Sequence, residues 1–185
     1  CPASKYGLNP VWPVNWTQSD RQNWYLGMSV HGQGFQSYGS TWRQLQVMMD
    51  SSTLVPFRDE ISWAKTNGGI GKYLFQFKNP ISVNNQMPPV WCGNPLTDTN
   101  TTDAMFRFIT AFLDTMHQVL DYFVLGSETD IYFKSRPAER DSFFVMAGKV
   151  SDYIDLHYPS IKFGVGVSMT CPLNPDNHFW NSVLP

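Results

Sequence analysis

Two apolar stripes of helical spacing, each followed within a few residues by a short apolar run, constrain the fold of this chain more than any other sequence feature. The first stripe precedes the run at 122–126 and consists of Met105, Ile109, Phe112, Met116 and Val119. The second precedes the run at 163–167 and consists of Phe143, Ala147, Val150 and Ile154. Such stripes indicate amphipathic helices, and such runs are typical of strands buried on both faces of a parallel sheet. Two successive helix–strand pairs predict an α/β fold.

Further elements are predicted upstream of these pairs. Strands are expected at 24–30, 53–57 and 73–77, and helices at 41–49 and 59–65. The chain would then contain about five β/α units. Because no internal repeat, low-complexity stretch or linker divides it, we expect residues 1–185 to form a single domain.

Composition and charge exclude several classes of protein. Hydrophobic residues make up 42% of the chain and charged residues 15%, so it can bury a core. The formal net charge is −2, whereas a nucleic-acid-binding protein is expected to be basic. No apolar run approaches the ~20 residues that span a bilayer. The cysteines and histidines lack zinc-site spacing, so we expect no metal and no cofactor.

Two glycosylation sequons favour a secreted or cell-surface protein. They are Asn15-Trp16-Thr17 and Asn100-Thr101-Thr102, with Asn15 and Asn100 as the acceptors. Cys1 fits either the lipid-bearing residue of a bacterial lipoprotein or the cut end of a fragment, and both interpretations stay open.

The strongest candidate for chemistry is Glu128, which follows the strand predicted at 122–126. Asp130 lies two residues further on. Carboxyl ends of parallel strands are where α/β folds place ligands and catalysts, so Glu128 is a candidate site residue. Asp130 alternates to the other side of the extended chain and favours a structural role. Alternatively, Glu128 caps the following segment or pairs with Arg136.

The segment 122–130 resembles the clan of (β/α)8-barrel glycoside hydrolases in which a central strand ends in Gly-Asn-Glu and the Glu is the general acid/base. Gly126 and Glu128 match that motif, and Ser127 stands where the clan usually has Asn, whose amide contacts the sugar. A looser resemblance covers 73–170. Counted from 24–30, Glu128 ends the fourth strand, as in the clan. The resemblance implies a secreted, retaining glycosidase of TIM-barrel fold acting on a poly- or oligosaccharide.

A retaining glycosidase also needs a nucleophilic carboxylate, about 5–5.5 Å from the acid/base. The clan takes it from a strand near the end of the barrel, and a full barrel needs ~250 residues. We therefore expect this chain to be the N-terminal part of a barrel, with the nucleophile outside it. The rest of the barrel would come from a missing C-terminal part or from a second copy.

Other polar and aromatic residues are expected at the same edge of the sheet. His31 and Gln33 follow the strand predicted at 24–30, Asn79 follows the one at 73–77, and Trp91 lies in a Pro- and Asn-rich segment beyond it. Sugars bind through hydrogen bonds and through stacking on aromatic rings. We predict that these residues contact carbohydrate, together with Ser127 and Asp130. For His31 or Trp91 alone, a structural role is the alternative.

Cys92 and Cys171 are predicted to form a disulfide. They follow the third and fifth predicted strands, which flank the strand leading to Glu128. Those strand ends lie ~10 Å apart, and loops can close that gap to the ~5.5 Å Cα separation of a disulfide. The bond would fasten the long segment over the cleft.

Two other functions stay open. The chain could be a catalytically degenerate barrel that serves as a carbohydrate-binding or structural surface protein, with contacts made by Trp16, Trp91 and Trp180. In that case Ser127 marks the loss of catalysis. A different α/β enzyme could use Glu128 with a metal, which the sparse ligand spacing disfavours.

Overall fold

In a computed structural model, the chain forms a parallel β-sheet with accompanying helices, which confirms the predicted α/β class. The structure describes residues 7–8, 15–29, 34–78 and 95–167. In chain order the elements are β1 (Gly7–Leu8), α1 (Gln18–Ser29), β2 (Gly34–Ser40), α2 (Trp42–Asp50), α3 (Leu54–Thr66), β3 (Ile70–Phe77), α4 (Thr99–Met116), β4 (Tyr122–Leu125), α5 (Thr129–Phe133), α6 (Pro137–His157) and β5 (Lys162–Val165).

The five strands are all parallel and lie in the order β1-β2-β3-β4-β5. The register pairs Tyr38 with Phe75, Phe75 with Phe123, and Phe123 with Phe163. Paired residues of neighbouring strands point to the same face, so a row of aromatic rings crosses one face of the sheet.

The helices form a layer over that aromatic row. Helices α1, α3, α4 and α6 contact one another in chain order. The rings of Phe75 and Phe77 lie 4.6 and 4.9 Å from Phe112 of α4. Trp42 of α2 packs edge-on against Phe77 at 4.8 Å. All four side chains are fully buried, and this interface forms part of the hydrophobic core.

One row on the opposite face of the sheet includes two glycines. Gly39, Gln76, Val124 and Gly164 lie in one register row across β2 to β5, and each is half-buried.

The two helix–strand pairs predicted from the apolar stripes are confirmed. Every residue of both stripes is buried, and the stripes lie on α4 and its C-terminal extension and on α6. Strands β4 and β5 follow them, but β5 has no fully buried residue and begins at the exposed Lys162, so it is not buried on both faces. The predicted helix at 41–49, the helix at 59–65 and the strand at 73–77 correspond to α2, to the C-terminal half of α3 and to β3.

The strand predicted at 24–30 is wrong, because residues 24–29 belong to α1. A capping box at Thr17 and Asp20 starts this helix. The Thr17 N–H donates to Asp20 Oδ2 at 2.7 Å, and the Asp20 N–H donates to Thr17 Oγ1 at 3.2 Å. Two backbone donors of the first turn are thereby satisfied, and the aromatic run that follows is helical.

The strand predicted at 53–57 is also wrong, because α3 begins at Leu54. Pro56 lies in the first turn, where its missing N–H removes no helical hydrogen bond. Leu54, Ile61 and Ala64 are buried on one side of the helix. The apolar residues therefore have helical spacing from the start of α3.

Strands β1 and β2 were not predicted. The β2 sequence Gly-Phe-Gln-Ser-Tyr-Gly-Ser is poor in β-branched residues, and its pairing with β3 along its whole length holds it in the sheet. Glu128 does follow the fourth strand, although the first two strands are not the predicted ones. Within the described ranges, no helix is both long and apolar enough to cross a membrane.

Candidate functional site

Glu128 lies at the carboxyl edge of the sheet, three residues after β4 ends at Leu125. Its side chain makes no capping bond to α5, and in the described part of the chain its carboxylate has no hydrogen-bond or ion-pair partner. Arg136 instead lies 3.5 Å from Glu139 and over the Tyr132 ring at 4.5 Å. Neither the capping role nor the Arg136 pair is found, and Glu128 is exposed.

The backbone around Glu128 takes an uncommon conformation. Gly126 has φ 80°, and Glu128 has φ 52° and ψ 39°, in the left-handed region. A side-chain-bearing residue there costs about 1–2 kcal/mol, so the surrounding structure must hold it. The Glu128 carbonyl accepts the N–H groups of Ile131 at 3.0 Å and Tyr132 at 3.2 Å, which opens α5. We call residues 126–129 the Glu128 turn.

Hydrogen bonds from both neighbouring strands hold the Glu128 turn. The N–H and Oγ1 of Thr129 both donate to the Gly166 carbonyl, at 3.0 and 2.8 Å. Gln76 Nε2 of β3 donates to the Gly126 carbonyl at 2.9 Å. The Gly166 N–H donates to the Leu125 carbonyl at 3.0 Å, just beyond β5. The position of Glu128 is thus fixed relative to β3 and β5.

Gly166 is needed for this close approach. A Cβ atom at this position would overlap the Gly126 carbonyl oxygen and lie 2.9 Å from Gln76 Nε2. The obstructing oxygen belongs to the backbone and cannot rotate away. Only glycine therefore lets the chain beyond β5 contact the Glu128 turn. The sequence signal for this contact is the Gly-Val-Gly-Val run, although the run by itself indicates only a strand.

The other side chains of this segment are less accessible than Glu128. Thr129 is fully buried and Asp130 is 3% exposed, whereas Ser127 is half-buried. The structure therefore brings Ser127 and Glu128 to the surface of the edge and turns Asp130 inward. Substrate contact by Ser127 stays a prediction, and the burial of Asp130 favours the structural role.

Glu139 of α6 is already engaged near this edge. Its Oε2 accepts the Leu96 N–H at 3.1 Å and the Tyr132 hydroxyl at 3.4 Å, and its Oε1 lies 3.5 Å from Arg136. Burial and this carboxylate raise the pKa of Tyr132, which keeps the hydroxyl protonated as a donor. Glu139 therefore serves the packing of α5 on α6, whereas the Glu128 carboxylate has no partner among the described residues.

Four predicted binding residues, His31, Gln33, Asn79 and Trp91, lie outside the described residues. The strand expected before Asn79 is present as β3. The strand expected before His31 and Gln33 is helix α1, and these two residues precede β2 in the chain. The predicted strand that would place these two residues at the carboxyl edge is therefore absent.

The predicted disulfide partners Cys92 and Cys171, and also Cys1, lie outside the described residues. The two sequon asparagines, Asn15 and Asn100, are described and both are exposed.

The described residues contain no group of three or more His, Cys, Asp and Glu side chains that could hold a metal ion. No protein-family model matches the chain, and no curated protein matches it significantly.

Proposed function

We propose that this chain is the N-terminal part of a (β/α)8 barrel of a retaining glycoside hydrolase, with Glu128 as the general acid/base. The observation that carries the proposal is an exposed carboxylate in a backbone turn clamped at the carboxyl end of the fourth parallel strand. Barrel enzymes place their catalytic residues at this edge.

The strand order supports the barrel. In a doubly wound sheet the order reverses at a switch point and helices cover both faces. Here the order follows the chain from β1 to β5, and α1, α3, α4 and α6 are neighbours in the same sequence. Further strands, from a continuation of the chain or a second copy, would complete the barrel and cover the sheet edges.

The proposed reaction is a double displacement. Glu128 gives its proton to the glycosidic oxygen as the C–O bond breaks, while a second carboxylate attacks the anomeric carbon and forms a glycosyl-enzyme. Glu128, now ionised, accepts a proton from water, which attacks the same carbon and releases the sugar and the nucleophile. We assign the nucleophile to a strand outside these 185 residues.

The clamped turn suits this role because a proton donor must lie within hydrogen-bond reach of the leaving oxygen. A bound substrate and the rest of the barrel would remove water from the exposed Glu128 carboxylate. Loss of hydration disfavours the charged form of a carboxylate, which favours the acid form that donates the proton. The proposal includes carbohydrate as the partner and secretion as the route, which the exposed Asn15 and Asn100 acceptors fit.

The experiment compares leaving groups in a polypeptide that carries this sequence in a complete barrel. Glu128→Gln should lower turnover of an unactivated oligosaccharide by about 10²–10⁴-fold. With a dinitrophenyl glycoside, formation of the glycosyl-enzyme should slow much less, because dinitrophenolate leaves without a proton. Azide should accelerate the second step, the breakdown of the glycosyl-enzyme, in Glu128→Gln. Asp103→Asn is the matched control, since Asp103 is an exposed carboxylate of α4.

Equal losses on both substrates, or no loss on either, would refute the acid/base assignment. A complete barrel that binds oligosaccharides but hydrolyses none would replace the hydrolase with the degenerate carbohydrate-binding barrel.

A further inference from the structure

A cavity of about 570 Å³ lies among α1, β2, α2 and α3. None of its lining residues belongs to the Glu128 turn. Its volume falls in the range of about 300–1,000 Å³ that small-molecule sites occupy. The lining chemistry therefore decides what could bind there.

One wall of the cavity is aromatic and apolar. The rings of Tyr38 and Phe57 lie 5.2 Å apart at an interplanar angle of 53°. Behind them, Phe75 contacts the Tyr38 ring at 5.5 Å, and it is fully buried. Met48 and Pro56 complete this wall. The rings are thus held in place by the core and present a surface for a flat apolar face.

The charged groups of the cavity are already in ion pairs. Arg21 Nε donates to both carboxylate oxygens of Glu60 at 2.9 Å, and the Glu60 side chain is only 10% exposed. Asp59 pairs with its neighbour Arg58 at 2.7 Å. A charged ligand would have to compete with these ion pairs, so the cavity favours a neutral ligand.

Uncharged hydrogen-bonding groups lie beside the apolar wall. Gln18, Thr53 and Tyr38 line the cavity. Burial raises the pKa of Tyr38, so its hydroxyl stays protonated and can donate. The Thr53 hydroxyl already bonds to Ser51 Oγ and to the Met48 carbonyl. A purely apolar ligand would offer no hydrogen bond to Gln18 or to the Tyr38 hydroxyl, which costs free energy when water is displaced.

We propose that this cavity binds a neutral sugar ring. The C–H face of the ring would rest on Tyr38 and Phe57, and its hydroxyls would bond to Tyr38, Gln18 and the Arg21–Glu60 pair. The site is independent of the hydrolase proposal because it uses no residue of the Glu128 turn.

Saturation-transfer NMR tests the site on the chain as it is, with the methyl glycosides of glucose, galactose, mannose and xylose as probes and adenosine as a flat comparison ligand. Thr53→Trp would place a large ring in the cavity from an exposed position. Val47→Trp is the matched control, because Val47 is 60% exposed on α2 and does not line the cavity.

We expect at least one glycoside to bind native protein, with binding lost in Thr53→Trp and kept in Val47→Trp and Glu128→Gln. Tyr38→Phe should weaken that binding about tenfold, the equivalent of one hydrogen bond. Failure of all four glycosides to bind native protein, or binding of adenosine alone, would overturn the proposal. Binding that survives Thr53→Trp and disappears in Glu128→Gln would also overturn it, while placing the sugar at the Glu128 turn.

Discussion

Replacing Gly166 by alanine adds one methyl group at the point where the chain beyond β5 meets the Glu128 turn. The new Cβ would overlap the Gly126 carbonyl oxygen. It would also crowd Gln76 Nε2, which donates a hydrogen bond to that oxygen. Relief requires the backbone at Gly166 to move away from β4. That movement lengthens the two hydrogen bonds that Thr129 donates to the Gly166 carbonyl.

The expected cost of Gly166→Ala follows from these contacts. Each hydrogen bond contributes about 0.5–1.5 kcal/mol net, and overpacking a tight site costs about 1–3 kcal/mol. With two bonds weakened and part of the overlap relieved, the free energy of unfolding should fall by about 2–4 kcal/mol. For a chain of this length, the melting temperature should fall by about 5–15 °C.

Urea unfolding followed by circular dichroism measures this loss. Gly164→Ala is the matched control, because Gly164 lies two residues upstream in β5 and an added Cβ there meets no atom within 4 Å. Its unfolding free energy should stay within about 0.5 kcal/mol of the native value. If both substitutions cost the same, the clamp on the Glu128 turn does not contribute as described.

Two further predictions concern stability. Burial acts to raise the pKa of Asp121, but hydrogen bonds from Lys65, Lys72 and a backbone N–H lower it below the ordinary value of 3.8. Its stabilising contribution is therefore present above pH 3.8 and is lost as pH falls through the lowered pKa. Asp121→Asn should lower the free energy of unfolding by about 1–3 kcal/mol at pH 7 and by progressively less in acid. Urea unfolding at several pH values measures this loss, and a loss that does not change with pH would contradict the prediction. Thr17→Ala removes the hydroxyl that caps α1 through the Asp20 N–H and should cost about 1 kcal/mol by thermal melting; an unchanged melting temperature would contradict the capping role.

The C-terminal half of the fold could be predicted because its signals are local and long. The α4 and α6 stripes repeat over several turns, and each is followed by a short strand. Local pattern and tertiary burial agree in the two helices, so the sequence alone is sufficient to predict them.

Two strands of the N-terminal half are predicted wrongly, because short apolar runs fit either a strand or a helix. Trp24 and Tyr25 favour a strand by propensity, whereas the Thr17–Asp20 capping box, which the sequence contains, starts a helix before them. Strand β2 contains glycine and serine at positions where a strand is expected to carry bulky residues. Its place depends on pairing with β3, which no local pattern encodes.

The position of Glu128 could be predicted, but the backbone conformation and the hydrogen bonds that hold it could not. A carboxylate after an apolar strand is visible in the sequence. The left-handed backbone of Glu128 and the clamp by Gln76 and Gly166 depend on the register of β3, β4 and β5. Register is a property of the assembled sheet.

The pH dependence of kcat/KM on an unactivated oligosaccharide tests the central claim most directly. The measurement uses a complete barrel carrying this sequence, native and Glu128→Gln. A general acid must be protonated, so the native rate should fall toward high pH. This basic limb should be absent from the much weaker profile of Glu128→Gln. A basic limb that persists unchanged in Glu128→Gln would show that another group donates the proton.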